Sequence, residues 1–249
     1  MTLTNRILAA LPAPPSLRRG NALFLDVDGT LCAIAPRPTD VAFDAALKQR
    51  LGEVSAQLSG AVALVSGRAL DWLTSEAGSL PLALAGTHGL EIRHADGRLD
   101  AAPVRPGLAA AIDSARQFAA ANPGVVIEAK TRAVAIHYRQ APDSAAAVAA
   151  LADMLSRRHA LPLQHGTMVA ELKGGDGDKG RAIASLLAEP PFCGRLPIYV
   201  GDDLTDEAGF EAVAAAGGYG ILVGTPRETA ADYGLADPAA VRRWLADVA

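Results

Sequence analysis

The chain has 249 residues, of which 50% are hydrophobic and 20% are charged. This balance is typical of a globular protein, and the length is sufficient to bury a large core without disulfides. The formal net charge is −4, and arginine and lysine are scattered singly or in pairs, which excludes the strongly basic surface of a typical nucleic-acid-binding protein. No apolar run approaches the roughly 18–20 residues that a membrane-spanning helix needs.

Cysteine content and the N-terminus bear on the cellular compartment. The two cysteines, Cys32 and Cys193, are too few and wrongly spaced for a disulfide framework, which predicts two buried thiols in a reducing environment. The apolar stretch at residues 7–11 is too short for a secretory signal. We therefore expect a cytoplasmic protein with neither nucleic acid nor membrane as a partner. The sequence leaves the oligomeric state open, with a monomer as one option.

The first 85 residues alternate between short apolar runs and segments with helical spacing. The predicted elements are a strand at 21–26, a helix at 40–57, a strand at 61–65, a helix that ends at Ala77 and a strand at 82–85. A strand followed by a helix, repeated in this way, predicts a parallel sheet with helices on its faces.

The pattern changes near residue 90. An alternating segment turns at Asp96-Gly97, which is a strong hairpin signal, and Pro103 and Pro106 follow it. The next predicted elements are a helix at 106–121, strands at 124–128 and 132–138, a helix at 143–159, and strands at 161–165 and 169–172. Antiparallel strands with two helices predict an α+β unit that does not continue the first sheet.

Parallel alternation then resumes after a glycine-rich loop at residues 173–179. The predicted elements are a helix at 179–188, a strand at 196–201, a helix at 204–216, a strand at 219–223 and a last helix capped by Asp237. The predicted fold class is therefore α/β, with a doubly wound, mostly parallel sheet and an inserted α+β cap. We expect the core at residues 1–103 and 174–249 and the cap at 104–173.

Four polar segments lie at predicted strand ends or helix starts. They are Asp26-Val-Asp28-Gly-Thr-Leu, Ser66-Gly67-Arg68, Lys179, and the Gly201-Asp202-Asp203-Leu-Thr-Asp206-Glu run. Ligands of open parallel sheets bind beyond the carboxyl ends of the strands, so these segments are expected to meet at one edge.

The residue types at that edge suit phosphoryl chemistry. Clustered carboxylates repel each other, and a hard cation relieves that repulsion, so Asp26 and Asp202 are candidate Mg²⁺ ligands. Ser66 and Lys179 would bind the remaining phosphoryl oxygens. A carboxylate can attack phosphorus to give an aspartyl-phosphate, while a second carboxylate, Asp28, protonates the leaving oxygen and later deprotonates water.

The four segments, taken in order, resemble the motifs of the haloacid-dehalogenase-like phosphatases. The resemblance covers Asn21 to Val223 and implies a Rossmann-like core. It implies that Asp26 is the nucleophile and Asp28 the general acid/base. The implied phosphate-binding residues are Ser66, Gly67 and Lys179, the implied metal ligands are Asp26, Asp202 and the backbone carbonyl of Asp28, and Asp203 and Asp206 would lie close behind those ligands.

Narrower segments resemble the trehalose-6-phosphate phosphatase family. These are Gly201–Glu207, His88-Gly-Leu-Glu91, and, in the predicted cap, Glu128-x-Lys130, His137-Tyr-Arg139 and Glu171-x-Lys173. The resemblance implies a Mg²⁺-dependent hydrolase that converts trehalose 6-phosphate to trehalose and phosphate. The implied sugar-binding residues are Arg68, His88, Glu128, Lys130 and Glu171.

Two other interpretations stay open at this point. The core motifs do not distinguish trehalose 6-phosphate from another sugar phosphate, such as sucrose 6-phosphate or a mannosyl phosphoester. A non-catalytic phosphoaspartate or sugar-phosphate sensing module would also use an acidic pocket, Mg²⁺, a hydroxyl and a lysine. Such a module has no inserted cap and no use for an acid/base at the position of Asp28.

Overall fold

The structure is a computed structural model that describes residues 11–35 and 37–247. Most of the N-terminal apolar stretch therefore lies outside the described residues. The strands are β1 (Asn21–Leu25), β2 (Val62–Val65), β3 (Ala83–Gly86), β4 (Glu91–Arg93), β5 (Leu99–Ala101), β6 (Val126–Ala129), β7 (Ala133–His137), β8 (Leu163–Gly166), β9 (Val169–Lys173), β10 (Leu196–Gly201), β11 (Tyr219–Val223) and β12 (Tyr233–Leu235). The helices are α1 (Ala45–Gln57), α2 (Leu70–Ala77), α3 (Leu108–Ala121), α4 (Ala145–His159), α5 (Lys179–Leu187), α6 (Glu207–Ala215) and α7 (Pro238–Trp244).

Eight strands form the core sheet, in the order β12-β11-β10-β1-β2-β3-β4-β5. The six strands from β12 to β3 pair in parallel, and β4 and β5 add an antiparallel edge. The strands after β1 are added to one side of it, as far as β3. The later strands from β10 to β12 are added on its other side. Because crossovers between parallel strands are right-handed as a rule, winding in opposite directions places helices on both faces of the sheet. The predicted doubly wound, mostly parallel sheet is confirmed.

Capping explains where several helices begin. The predicted helix at 40–57 starts instead at Ala45, because residues 38–40 form a 3₁₀ turn and the Asp44 side chain accepts the amide of Leu47 at 2.7 Å. Asp237 caps α7 through the amide of Ala240, as predicted. The predicted helix at 204–216 is divided, because a 3₁₀ turn over 204–206 precedes α6.

One strand of the core sheet was not predicted. β12 has only three residues, Tyr-Gly-Leu, and pairs in parallel with the end of β11. So short a segment shows no hydrophobic periodicity, which is why the sequence does not reveal it.

The second sheet has four antiparallel strands in the order β6-β7-β9-β8. Its apolar face packs with α3 and α4 in a second cluster, which contains Val134, Ile136 and Leu172. This cluster is separate from the main core. This sheet and both helices lie within the predicted insertion at 104–173, whose boundaries stay a prediction. The two segments that connect the core to this insertion lie side by side, because the Arg105 amide donates to the Gly174 carbonyl at 2.8 Å.

Two expectations about the whole chain can be compared with the structure. Among the described residues, no helix combines the length and apolarity that crossing a bilayer requires. Cys32 is buried, but Cys193 is exposed, so the prediction of two buried thiols is wrong for Cys193. It lies in the turn between α5 and β10, where its neighbour Phe192 fills the core position and the thiol faces solvent.

The separate cluster under the second sheet predicts a local sensitivity. Ile136→Ala should lower the free energy of unfolding by about 2–5 kcal/mol, because Ile136 is fully buried and its loss leaves a cavity. Val126→Ala on the neighbouring strand is the control, since Val126 is 41% exposed, and we expect a change within about 0.5 kcal/mol. Urea unfolding of both variants measures the difference, and equal effects would contradict the assignment of Ile136 to a packed core.

Candidate active site

The acidic segments meet where the winding of the core sheet reverses direction. β1 and β10 are neighbouring strands, with Leu25 paired to Val200. Asp26 follows the last residue of β1, and Asp202 follows the last residue of β10. Strand order changes direction between these two strands, and this is the place where open α/β sheets bind ligands. The Asp26 amide donates to the Val200 carbonyl at 2.9 Å, which holds the two strand ends together.

Three carboxylates and one ammonium form a buried charge cluster. Oxygens of Asp26, Asp202 and Asp206 all lie within 4.8 Å of one another. The Lys179 Nζ atom at the start of α5 lies 2.8 Å from Asp26 Oδ1 and 2.5 Å from Asp206 Oδ1. Lys179, Asp26 and Asp206 are buried. Residues more than 150 positions apart in sequence are thereby brought together, as the strand-end argument predicts.

Asp206 occupies the centre of this cluster and uses both of its oxygens. Oδ1 accepts from Lys179 and from the Tyr199 hydroxyl. Oδ2 accepts the backbone amides of Asp202 at 2.8 Å and Asp203 at 2.9 Å. Because four donors occupy it, Asp206 shapes the loop that carries Asp202 rather than offering a free oxygen to a ligand.

The pKa values of the cluster show an excess of negative charge. Burial raises the pKa of Asp26 well above its ordinary value, and Asp206 and Asp202 add to this effect against the opposing charge of Lys179. Burial and the Asp206 carboxylate raise the pKa of Asp202 to about 7. Burial opposes ionisation of Asp206 as well, but Lys179 lowers its pKa below the ordinary value. The carboxylates of Asp26 and Asp202 therefore lack sufficient positive charge nearby.

The cluster fits a divalent cation in charge, donor type and space. Three carboxylates against one ammonium leave an excess of two negative charges, and carboxylate oxygens are ligands that Mg²⁺ prefers. Gly29 has a φ of +84°, and a Cβ there would lie 2.0 Å from Asp202 Oδ2, so only glycine leaves Asp202 in place. The Thr30 hydroxyl donates to Asp202 Oδ1 at 3.2 Å. Asp26 and Asp202 could hold the cation.

Asp28 is turned away from the acidic cluster and toward a guanidinium. Arg68 donates to both of its oxygens, from Nε at 2.7 Å and from Nη2 at 2.6 Å. The Arg68 guanidinium in turn lies 4.6 Å from the centre of the Trp72 ring. The role of Arg68 in sugar binding stays a prediction; in the structure its guanidinium orients the carboxylate of Asp28, the predicted acid/base.

The Ser66-Gly67-Arg68 turn follows β2 at the same edge of the sheet. Ser66 is buried, and its backbone carbonyl accepts the amide of His88 at 3.0 Å. His88 has a left-handed backbone with a φ of +54°, a conformation that costs a non-glycine residue about 1–2 kcal/mol. The hydrogen bond to Ser66 helps hold that conformation, and so ties the His88 segment to the predicted phosphate loop.

The second sheet presents one row of side chains to this edge. In the register of the strands, Glu128 pairs with Ala135, Ala135 with Glu171, and Glu171 with Gln164. Side chains alternate between the two faces of a sheet. The members of this row line the cavity described below, while Ile136 and its neighbours face the helices.

Charged contacts join the second sheet to the core. Glu171 Oε2 lies 2.8 Å from His88 Nε2, and Lys130 Nζ lies 2.6 Å from Glu171 Oε1 and 2.8 Å from the Gly67 carbonyl. Burial opposes ionisation of Glu171, but Lys130 and His88 lower its pKa far below the ordinary value. Burial lowers the pKa of His88, so at neutral pH it is uncharged and its Nε2–H donates to Glu171.

A cavity of about 330 Å³ lies between the edge of the core sheet, which we call the core wall, and the row of side chains on the second sheet, which we call the cap wall. All but one of the predicted site residues line it; Asp206 lies behind the wall. The predicted residues that line the cavity are Asp26, Asp28, Ser66, Gly67, Arg68, His88, Glu128, Lys130, Glu171, Lys179, Asp202 and Asp203.

Sequence reasoning missed three residues that shape the site. Tyr199 lies within β10 among apolar residues, where a tyrosine gives no signal. Gln164 lies on a short cap strand, and no motif marks it. Arg227 donates to the Asp203 carbonyl at 2.7 Å from a loop after β11 that carries no motif. Only the folded structure shows that these three side chains lie beside the site.

Comparison with known proteins gives a consistent result. The family profile of trehalose-phosphatases matches residues 24–239. A probable trehalose-phosphate phosphatase of Sinorhizobium fredii is 41% identical over 207 residues, covering 82% of this chain and 78% of that protein. The trehalose-6-phosphate phosphatase of Escherichia coli is 38% identical over 237 residues, covering 94% of this chain and 89% of the relative.

Solved structures agree on the fold. The C-terminal domain of the Candida albicans trehalose-6-phosphate phosphatase superposes with a TM-score of 0.81 at 21% identity, covering 95% of this chain and 97% of that one. A haloacid dehalogenase-like hydrolase of Bacteroides thetaiotaomicron gives 0.66 at 16% identity, covering 93% and 99%. The predicted haloacid-dehalogenase-like fold is thus confirmed, and the extent of the profile match together with these identities shows that the chain belongs to the trehalose-phosphatase family.

Proposed function

We propose that this protein hydrolyses trehalose 6-phosphate to trehalose and phosphate, with Mg²⁺ as cofactor and an aspartyl-phosphate on Asp26 as intermediate. One observation carries the proposal: Asp26, Asp202 and Lys179 line the core side of the cavity, and the row of polar side chains on the second sheet lines the opposite side. A phosphate ester of a sugar has this same division between a charged end and a hydroxylated end.

The first half of the reaction is nucleophilic substitution at phosphorus. A carboxylate oxygen of Asp26 attacks phosphorus, and Asp28 protonates the sugar oxygen as the P–O bond breaks. Lys179 and Ser66 bind the other phosphoryl oxygens as negative charge develops on them. Mg²⁺ held by Asp26, Asp202 and the backbone carbonyl of Asp28 would supply the remaining positive charge.

The second half restores the enzyme. Asp28, now ionised, takes a proton from water, whose oxygen attacks phosphorus and releases Asp26 with inorganic phosphate. Arg68 donates to both Asp28 oxygens and orients the carboxylate as an acceptor, which suits its role as base in this half. In the first half, one of these oxygens must leave Arg68 to carry the proton that goes to the sugar oxygen.

The cap wall would select the sugar. Glu171 and Glu128 accept hydrogen bonds from hydroxyls, while Lys130 donates to hydroxyl oxygens. The contact of Lys130 with the Gly67 carbonyl links the sugar-binding wall to the phosphate loop. A sugar seated on this wall would therefore hold its phosphate against Asp26 and exclude bulk water.

Asp26→Asn tests the nucleophile. The amide cannot form the aspartyl-phosphate, so we expect turnover to fall by about 1,000-fold or more with the fold intact. Asp113→Asn is the control, because the Asp113 side chain is 71% exposed on α3, and its activity should equal that of the wild type. Phosphate release and circular dichroism measure the outcome, and near-normal turnover of the Asp26→Asn variant would refute the assignment.

Metal removal tests the cofactor. Chelation should lower turnover by about 100-fold or more, and added Mg²⁺ should restore it, because the charge of the cluster is then uncompensated at the phosphate. Mg²⁺ should also raise the unfolding temperature of the wild type and have a smaller effect on Asp202→Asn. Full activity in metal-free buffer would contradict the proposed role.

A substrate panel distinguishes trehalose 6-phosphate from sucrose 6-phosphate and a mannosyl phosphoester. We expect kcat/KM to be highest for trehalose 6-phosphate, and Glu171→Gln to lower that value about tenfold while sparing a small aryl phosphate. Glu211→Gln, on the exposed face of α6, is the matched control. A higher kcat/KM for another sugar phosphate would change the substrate, and a long-lived phosphoprotein without phosphate release would favour the sensing module.

A further inference from the structure

Packing alone does not explain the hydroxyl of Tyr199, because a phenylalanine ring would fill the same space. Tyr199 is fully buried in β10, paired with Phe24 on the adjacent strand. Its ring lies 5.4 Å from that of Phe210 and against Gly209, where a Cβ would come within 2.3 Å of the ring. Placing a hydroxyl in such apolar surroundings is unfavourable unless it has a hydrogen-bond partner.

That partner is an oxygen of the charge cluster. The Tyr199 hydroxyl donates to Oδ1 of Asp206, the same oxygen that accepts from Lys179. The direction follows from the other contacts of Asp206, which accepts from the Lys179 ammonium and from two backbone amides, so the hydroxyl is a further donor to a carboxylate that only accepts. Burial, together with the nearby Asp206 and Asp26, raises the pKa of Tyr199, so the proton stays on the phenol.

Lys179 is shared between two carboxylates that compete for it. Its Nζ atom lies 2.5 Å from Asp206 Oδ1 and 2.8 Å from Asp26 Oδ1. A second donor on Asp206 Oδ1 reduces the negative charge that this oxygen presents to the ammonium. The Tyr199 hydroxyl therefore weakens the hold of Asp206 on Lys179 and leaves the ammonium available at the Asp26 side.

We infer that Tyr199 is a positioning residue for the reaction, whose buried hydroxyl shares Asp206 Oδ1 with Lys179 and so keeps the ammonium directed toward Asp26 and the phosphoryl group. The inference rests on the proposed function, in which Lys179 binds phosphate. Without the hydroxyl, Lys179 moves toward Asp206, and both the ground-state phosphate and the transition state lose a charged donor.

Tyr199→Phe tests this inference, since it removes one oxygen and keeps the ring. Tyr219→Phe is the matched control, because Tyr219 lies on the adjacent strand β11 with its ring 5.0 Å from Tyr233. In the Mg²⁺-loaded enzyme we expect Tyr199→Phe to weaken binding of orthovanadate, measured by calorimetry, about tenfold and to lower kcat for trehalose 6-phosphate by a similar factor. Tyr219→Phe should change neither value by more than about twofold.

The outcomes are separable. If Tyr199→Phe lowers only the unfolding temperature and keeps the wild-type vanadate affinity and kcat, the hydroxyl is structural and the inference is overturned. A wild type that binds vanadate but does not hydrolyse trehalose 6-phosphate would refute the proposed function. The vanadate affinities of the two variants would still decide the role of Tyr199.

Discussion

The active site depends on one buried ammonium held between two carboxylates. Lys179 is 3% exposed, and a charge so removed from water is tolerated only with close partners. Its contacts with Asp26 and Asp206 connect the ends of β1 and β10 to the start of α5. This single side chain thus fixes the geometry of three segments that are far apart in sequence, and it still leaves the negative charge that a divalent cation would balance.

The cap repeats the same principle on the opposite wall. Lys130 and Glu171 form a second buried pair, with side chains 6% and 8% exposed, and both contact the core through Gly67 and His88. The apolar clusters of core and cap are separate, so these contacts across the cavity are charged and polar. Sugar hydroxyls can donate to and accept from the same charged groups, which suits a wall that would admit a substrate.

The sequence predicts most of the fold because apolar runs and helical spacing report burial directly. β10 and β11 match their predicted bounds, and the acidic motifs lie at the predicted sheet edge. What it does not predict depends on tertiary contacts. The left-handed conformation of His88 and the pairing of Arg68 with Asp28 arise from neighbours distant in sequence. A buried tyrosine such as Tyr199 has the pattern of any core residue until its hydroxyl is seen on Asp206.

The register of the cap strands is compatible with the proposed binding of a sugar larger than one ring. Glu128, Ala135, Glu171 and Gln164 occupy one row across four strands, and with strands about 4.8 Å apart the row extends about 14 Å. Ala135 is the small member and is flanked by the carboxylates of Glu128 and Glu171. A one-residue slip of β7 would turn its apolar face toward the cavity. The packing of Ile136 against the cap helices therefore also keeps the row of Glu128, Ala135, Glu171 and Gln164 facing the cavity.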